Sequence, residues 1–226
     1  MINIEEQQKL FARISKKLPR KIEVYAIGGT AMMFLGLKEN TLDVDLIFSN
    51  PDERKIFKET AKSLGFNDLS AEILYGKKDN SPEMVVISDV RFDLFLFKVI
   101  SSNFSIGMQK RATQIHEFGN LIIRVADPND VLIMKSVTSR NKDFDDIVSI
   151  INKGPIDWDI IVGEAREQVK LGNEISIMSL GEKLEKLSNQ KLISVPKDIS
   201  DKIWKLFSKQ VKEKSKSGKE KSKKVK

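Results

Sequence analysis

Cysteine is absent from the 226 residues, and histidine occurs once, as His116. A disulfide scaffold, a thiolate zinc site and a cysteine nucleophile are therefore all excluded. The single histidine excludes multi-histidine metal centres, and its place in an expected hairpin reads as structural. Tryptophan is scarce, with Trp158 and Trp204 both in helix-like stretches where packing is the natural role. No apolar run approaches the roughly 18 residues of a membrane span. The opening residues Met1-Ile2-Asn3-Ile4-Glu5-Glu6 carry acids where a secretion signal needs positive charge. The expectation is a cytoplasmic protein with no membrane partner.

Charge is plentiful but unevenly placed. From Lys209 to Lys226 there are nine lysines and two glutamates, which account for the whole formal net charge of +7. Residues 1–208 are therefore neutral in sum. A lysine-serine tail without an apolar face cannot repay its ordering entropy, so disorder in isolation is expected. Such a tail binds nucleic acid electrostatically, or it only solubilises the chain. The length suits one large domain, or an ordinary domain with an appendage.

Apolar spacing and caps organise the rest. Asn3 with Glu6 forms a capping box for a helix over residues 3–18, which Pro19 stops. A short strand over 24–27 ends at Gly28-Gly29, and a methionine-rich helix over 30–35 follows, its Met32-Met33-Phe34-Leu35 read as core. A strand over 42–48, a helix over 51–64 opened by Pro51, and strands over 84–87 and 91–97 come next. Thr113 to Val125 reads as a hairpin turning at Gly119-Asn120. Asp127-Pro128-Asn129-Asp130 starts a helix running to Arg140, and another covers 143–153. Helix patterns near 157–171, 177–188 and 197–212 complete the chain. The expected class is α/β or α+β: a short mixed sheet flanked by helices over 1–153, a helical region over 154–208 and the basic tail 209–226.

Three local features carry chemistry. Alternation along a strand puts Asp43 and Asp45 on one face and Leu42, Val44 and Leu46 on the other. At roughly 6 to 7 Å apart, two carboxylates repel by on the order of 2 kcal/mol at an effective dielectric near 20. A bound divalent cation would offset this, and hard oxygen ligands suit magnesium; a plain exposed strand end would also tolerate the pair. Gly28-Gly29-Thr30 joins a strand to a helix, where N–H groups attract anions and glycine admits a phosphate close to the backbone. By itself such a turn is only a turn. Asp93, within Arg91-Phe92-Asp93-Leu94-Phe95, is an acid in an apolar strand and needs a metal, a base or solvent. An ion pair with Arg91 is the simplest alternative.

Together these residues resemble the DNA polymerase β-like nucleotidyltransferases. That pattern is a glycine turn opening a helix, an acid-x-acid strand and a third acid on a neighbouring strand. Here Gly28-Gly29 is followed after 13 residues by Asp43-Val44-Asp45, and Asp93 is the third acid in preference to Asp89, which follows Ser88 at a turn. Gly36-Leu37, Thr41 and the segment from Asp130 to Lys135 with Arg140, Lys142-Asp143 and Asp146 are similar to small prokaryotic members, the abortive-infection and toxin–antitoxin nucleotidyltransferases. The resemblance covers residues 20–153. Where those members often carry arginine before the threonine, this chain has Lys38.

The resemblance implies a nucleotidyltransferase fold and a magnesium-dependent transfer, with manganese as a substitute cation. The transfer moves a nucleoside monophosphate from a nucleoside triphosphate to a hydroxyl. Asp43, Asp45 and Asp93 would be catalytic and metal-binding. Gly28, Gly29 and Thr30 would cradle phosphates, and Lys38, Thr41, Lys135 and Arg140 would also bind the nucleotide. Lys135 on an apolar helix otherwise reads as a lysine snorkelling to solvent. Asp143 and Asp146 read as a helix cap and first-turn acid, outside the catalytic set. RNA, particularly tRNA, is the implied acceptor and a cognate antitoxin an implied partner. Transfer to a protein or small molecule, and a non-catalytic nucleotide- or partner-binding relative, are the rival readings.

Overall fold

The computed structural model describes residues 1–77, 79–137 and 141–208. The expectations for Arg140 and for the tail 209–226 lie outside the described residues. Seven strands form the main path of the sheet: β1 (Ile22–Ala26), β2 (Asp43–Phe48), β3 (Asn67–Leu69), β4 (Glu83–Ile87), β5 (Val90–Leu96), β6 (Gln114–Phe118) and β7 (Leu121–Val125). Their order across the sheet is β6-β7-β1-β2-β5-β4-β3. The β7–β1 and β2–β5 pairs are parallel and the other neighbours antiparallel, so the sheet is mixed.

Strand alternation divides the core in two. Val24, Ala26, Val44, Leu46, Phe48, Phe92 and Leu94 face a layer with helices α1 (Ile4–Ser15) and α3 (Pro51–Ser63). On that side the Phe92 ring meets Phe11, Phe57 and Phe66 at centroid distances of 6.1, 5.9 and 5.4 Å. Each such pair adds about 0.5–1.5 kcal/mol beyond area burial and anchors the strand on which Asp93 stands. Tyr25, Ile47 and Phe95 face the opposite layer, built on helices α2 (Gly28–Phe34) and α4 (Pro128–Ser136). All nine residues of α4 are buried. Around it pack α2, α5 (Asn141–Lys153), α6 (Trp158–Lys170) and α7 (Glu174–Asn189), with residues 197–208 helical beyond. Among the described residues no helix is long and apolar enough to cross a membrane.

Caps fall where the sequence places them. Asn3 and Glu6 exchange both bonds of the capping box, at 2.9 and 3.0 Å. Asp127 accepts from the Asn129 N–H at 2.9 Å, with Pro128 in the first turn of α4. Other boundaries move. α1 stops at Ser15 instead of Leu18, α2 begins at Gly28 itself, and Leu42 is 55% exposed, ahead of β2 and not on its apolar face. The helix expected to reach Arg140 ends at Ser136. Short helices at Glu72–Tyr75 and Ile106–Arg111 have no counterpart in the sequence pattern, because one turn or so gives no repeat to detect. Trp204 lies on Gly181, whose added Cβ would stand 3.3 Å from the indole, so the packing role expected of this tryptophan holds.

Candidate active site

The parallel register of β2 and β5 sets Asp45 opposite Asp93 and Asp43 opposite Arg91. Alternation then turns all three acids toward the α2 side. Asp43, Asp45 and Asp93 each offer an oxygen within 4.8 Å of the others'. Asp43 is 3% exposed and Asp93 fully buried, so the reading of Asp43 and Asp45 as an exposed strand end fails.

Cations and donors balance this charge. Arg91 Nε donates to Asp93 Oδ1 at 2.6 Å and Nη2 to Asp93 Oδ2 at 3.1 Å, while Nη2 also donates to Asp43 Oδ2. The Arg91 ion pair expected as an alternative is thus present, within the acid cluster and not instead of it. Lys142 Nζ stands 3.9 Å from Asp43 Oδ1. Tyr75, on the short helix Glu72–Tyr75, donates its hydroxyl to Asp93 Oδ2 at 2.6 Å. Burial raises Asp93 above the ordinary carboxylate value, although Arg91 and Tyr75 pull against it. Burial, then the charges of Asp93, Asp45 and Asp43, push the Tyr75 phenol well above its usual range.

The glycine turn fits these acids closely. Gly28 has φ +54°, and a Cβ there would stand 2.4 Å from Asp45 Oδ2; one on Gly29 would stand 2.4 Å from Thr41 Oγ1. Gly29 donates its N–H to Asp45 Oδ2 at 3.2 Å. Thr30, expected to cradle phosphate, is fully buried, and its hydroxyl accepts from the Asp45 N–H at 2.8 Å. It positions the Asp45 strand from beneath. Thr41 Oγ1 donates to Asp43 Oδ1 at 3.5 Å.

For Lys135, expected at the nucleotide, the alternative of a lysine reaching solvent fails. It does not snorkel: the side chain is buried, with Nζ 3.0 Å from Asp143 Oδ1 and 2.6 Å from Asp146 Oδ2. Lys38 Nζ reaches Asp146 Oδ1 at 2.6 Å. Burial works to lower the Lys135 pKa, but the charges of Asp146, Asp143 and Asp45 outweigh it and hold the ammonium above its usual value. Asp143 and Asp146, read from sequence as a cap and a first-turn acid, are ligands of this buried cation. One cavity brings together Gly28, Asp45, Tyr75, Phe95, Met134 and Lys135. Sequence reasoning missed Tyr75, whose segment carries no local signal.

Paired acids on one strand, a third on its parallel neighbour and a glycine turn opening the adjoining helix define a DNA polymerase β-like nucleotidyltransferase fold. The chain belongs to the family described as "nucleotidyltransferase of unknown function" (DUF6036), whose model matches residues 4–188. Among solved structures it is similar to an antigenic nucleotidyltransferase-like protein from Paracoccidioides brasiliensis. Identity there is 16% over 88% of this chain and 98% of that one, with a TM-score of 0.50, a likeness of fold. The structure of ANT(2")-Ia in complex with adenylyl-2"-tobramycin aligns with 80% of this chain and 95% of its own, at 14% identity and a TM-score of 0.42. No curated protein matches the chain.

Proposed function

We propose that the chain is a magnesium-assisted enzyme that moves a nucleoside monophosphate from a nucleoside triphosphate to an acceptor hydroxyl on RNA, releasing pyrophosphate. The observation that carries this reading is the convergence of Asp43, Asp45 and Asp93 within 4.8 Å beside the Gly28-Gly29 turn. Three hard oxygen donors on one face fit a divalent cation of the magnesium type. Such a cation, when bound, supplies charge neutralisation at the triphosphate and a lowered pKa for the attacking hydroxyl.

The chain's own residues divide the remaining tasks. Asp43 and Asp45 would hold the cation, with Thr41 and Thr30 fixing their carboxylate and strand. Asp93, already accepting a hydrogen bond from a hydroxyl at 2.6 Å, would accept the proton of the acceptor hydroxyl. Gly28 and Gly29 let the turn lie directly against Asp45 and Thr41, where any Cβ would collide. They so bring the start of α2 and its N–H groups beside the acids that would hold the cation and its phosphates. Lys135, held by Asp143 and Asp146, lines the cavity beside Gly28 and Asp45 and would meet the triphosphate there, with Lys38 anchoring Asp146 from the other side. The nine lysines of residues 209–226 support RNA as the acceptor, because phosphate neutralisation is the main source of non-specific RNA affinity.

Incubation with each α-labelled nucleoside triphosphate, magnesium and total RNA tests the reading. Label is expected in RNA, and it should vanish on chelation and in Asp43→Asn. Label that appears only in a small molecule would remove RNA from the proposal. An Asp43→Asn protein as active as the parent would remove the acid cluster from it.

A further inference from the structure

The position next to Asp93 is already occupied by a hydroxyl. Tyr75 Oη donates to Asp93 Oδ2 at 2.6 Å, the distance a general base needs from the proton it removes. The Tyr75 side chain also lines the same cavity as Gly28, Asp45 and Lys135, so turn, acid and hydroxyl face one space. Thr41, another hydroxyl at the cluster, is directed at Asp43 and lies under Gly29. Tyr75 is differently held. It ends a four-residue helix whose Ile73 and Leu74 are 69% and 52% exposed, and Gly76 follows with φ +63°. Phe95 packs edge-on against its ring at 6.1 Å.

We propose that Tyr75 is itself an acceptor, so that the chain nucleotidylates its own phenol in cis. The inference rests on the nucleotidyl-transfer reading above. Tyr75 Oη attacks the α-phosphorus of a bound nucleoside triphosphate. The new O–P bond forms as the α–β phosphoanhydride breaks, pyrophosphate leaves, and the phenolic proton passes to Asp93 Oδ2. The hydrogen bond already sets Asp93 Oδ2 on the proton that must leave as the O–P bond forms. The modified Tyr75 can no longer donate to Asp93.

The test uses the full chain with magnesium and each α-labelled nucleoside triphosphate, with no other acceptor present. Peptide mass mapping should find one nucleoside monophosphate on the peptide holding Tyr75, formed at a rate constant that does not change over a hundredfold range of protein concentration. Tyr75→Phe should lose at least about fiftyfold of the label. Calorimetric titration should show that this variant still binds the nucleotide within about threefold of the parent affinity, which excludes misfolding. Label retained in Tyr75→Phe, or a rate that rises with protein concentration, would overturn the proposal. A parent chain that labels RNA but never itself would also overturn it, leaving Tyr75 as a plug over Asp93 and the transfer reading intact. Absence of label in both RNA and protein would instead bring down the transfer reading, and this inference with it.

Discussion

Gly28 and Asp45 constrain each other, because a Cβ at Gly28 would stand 2.4 Å from Asp45 Oδ2 on a backbone with φ +54°. Gly28→Ala must therefore push the carboxylate aside and strain the turn. A displacement near 1 Å at reacting groups costs about a hundredfold in rate, so turnover by Gly28→Ala should fall by about that factor, measured as pyrophosphate release. Lys135 makes a different prediction. Removing it breaks the buried Lys135–Asp143 pair, whereas Asp146 keeps Lys38 at 2.6 Å, and breaking a buried ion pair costs about 3–5 kcal/mol. Lys135→Met should lose that much stability in urea unfolding, and adding Asp143→Asn should restore part of it. A loss below about 0.5 kcal/mol would return Lys135 to solvent. The paired acids were legible in the sequence because a period of two is unambiguous on a strand with Val44 between them and Leu46 after. The burial of Lys135 was not, because its partners lie eight and eleven residues further along, across a helix boundary.

Helix α4 is the element on which the two halves of the structure depend. It is apolar all round apart from buried polar positions, so no amphipathic stripe shows which neighbour it meets. Its first turn is tied outward through Asp130, which accepts from Arg111 Nε at 2.9 Å and Nη2 at 2.7 Å. Nη2 of Arg111 also donates to Glu164 Oε2 on α6. One guanidinium thus joins the short helix Ile106–Arg111, α4 and α6. Arg111→Met should destabilise the chain by about 3–5 kcal/mol, since two buried carboxylates lose their cation. Arg111→Lys should recover only part, because an ammonium cannot make the bidentate contact. Urea unfolding with an unchanged m-value would check both. The amphipathic helices α1 and α3 could be read from spacing and caps. The Arg111 network could not, because its three members are separated by 19 and 34 residues and none sits in a motif.

At the scale of the whole molecule, one apolar core runs from Tyr25 to Ile203, so the C-terminal helices share it with one face of the sheet. The helical character of that region was legible; its attachment to α4 was not, since contact between elements leaves no local pattern. The charge excess sits entirely in residues 209–226. If about five of those lysines neutralise phosphates on single-stranded RNA, the log–log salt slope is near −3.5. Deleting residues 209–226 should flatten that slope and raise KM for RNA while leaving KM for the triphosphate unchanged; salt-independent transfer would remove the tail from RNA capture. The proposed role of the acid cluster is metal-dependent nucleotidyl transfer. Pyrophosphate release from a nucleoside triphosphate by the parent and by Asp45→Asn, with and without magnesium and with folding verified by melting, tests it most directly. Magnesium-dependent release by the parent and a loss of at least about a hundredfold in the variant are expected. Equal release by the two proteins would contradict it.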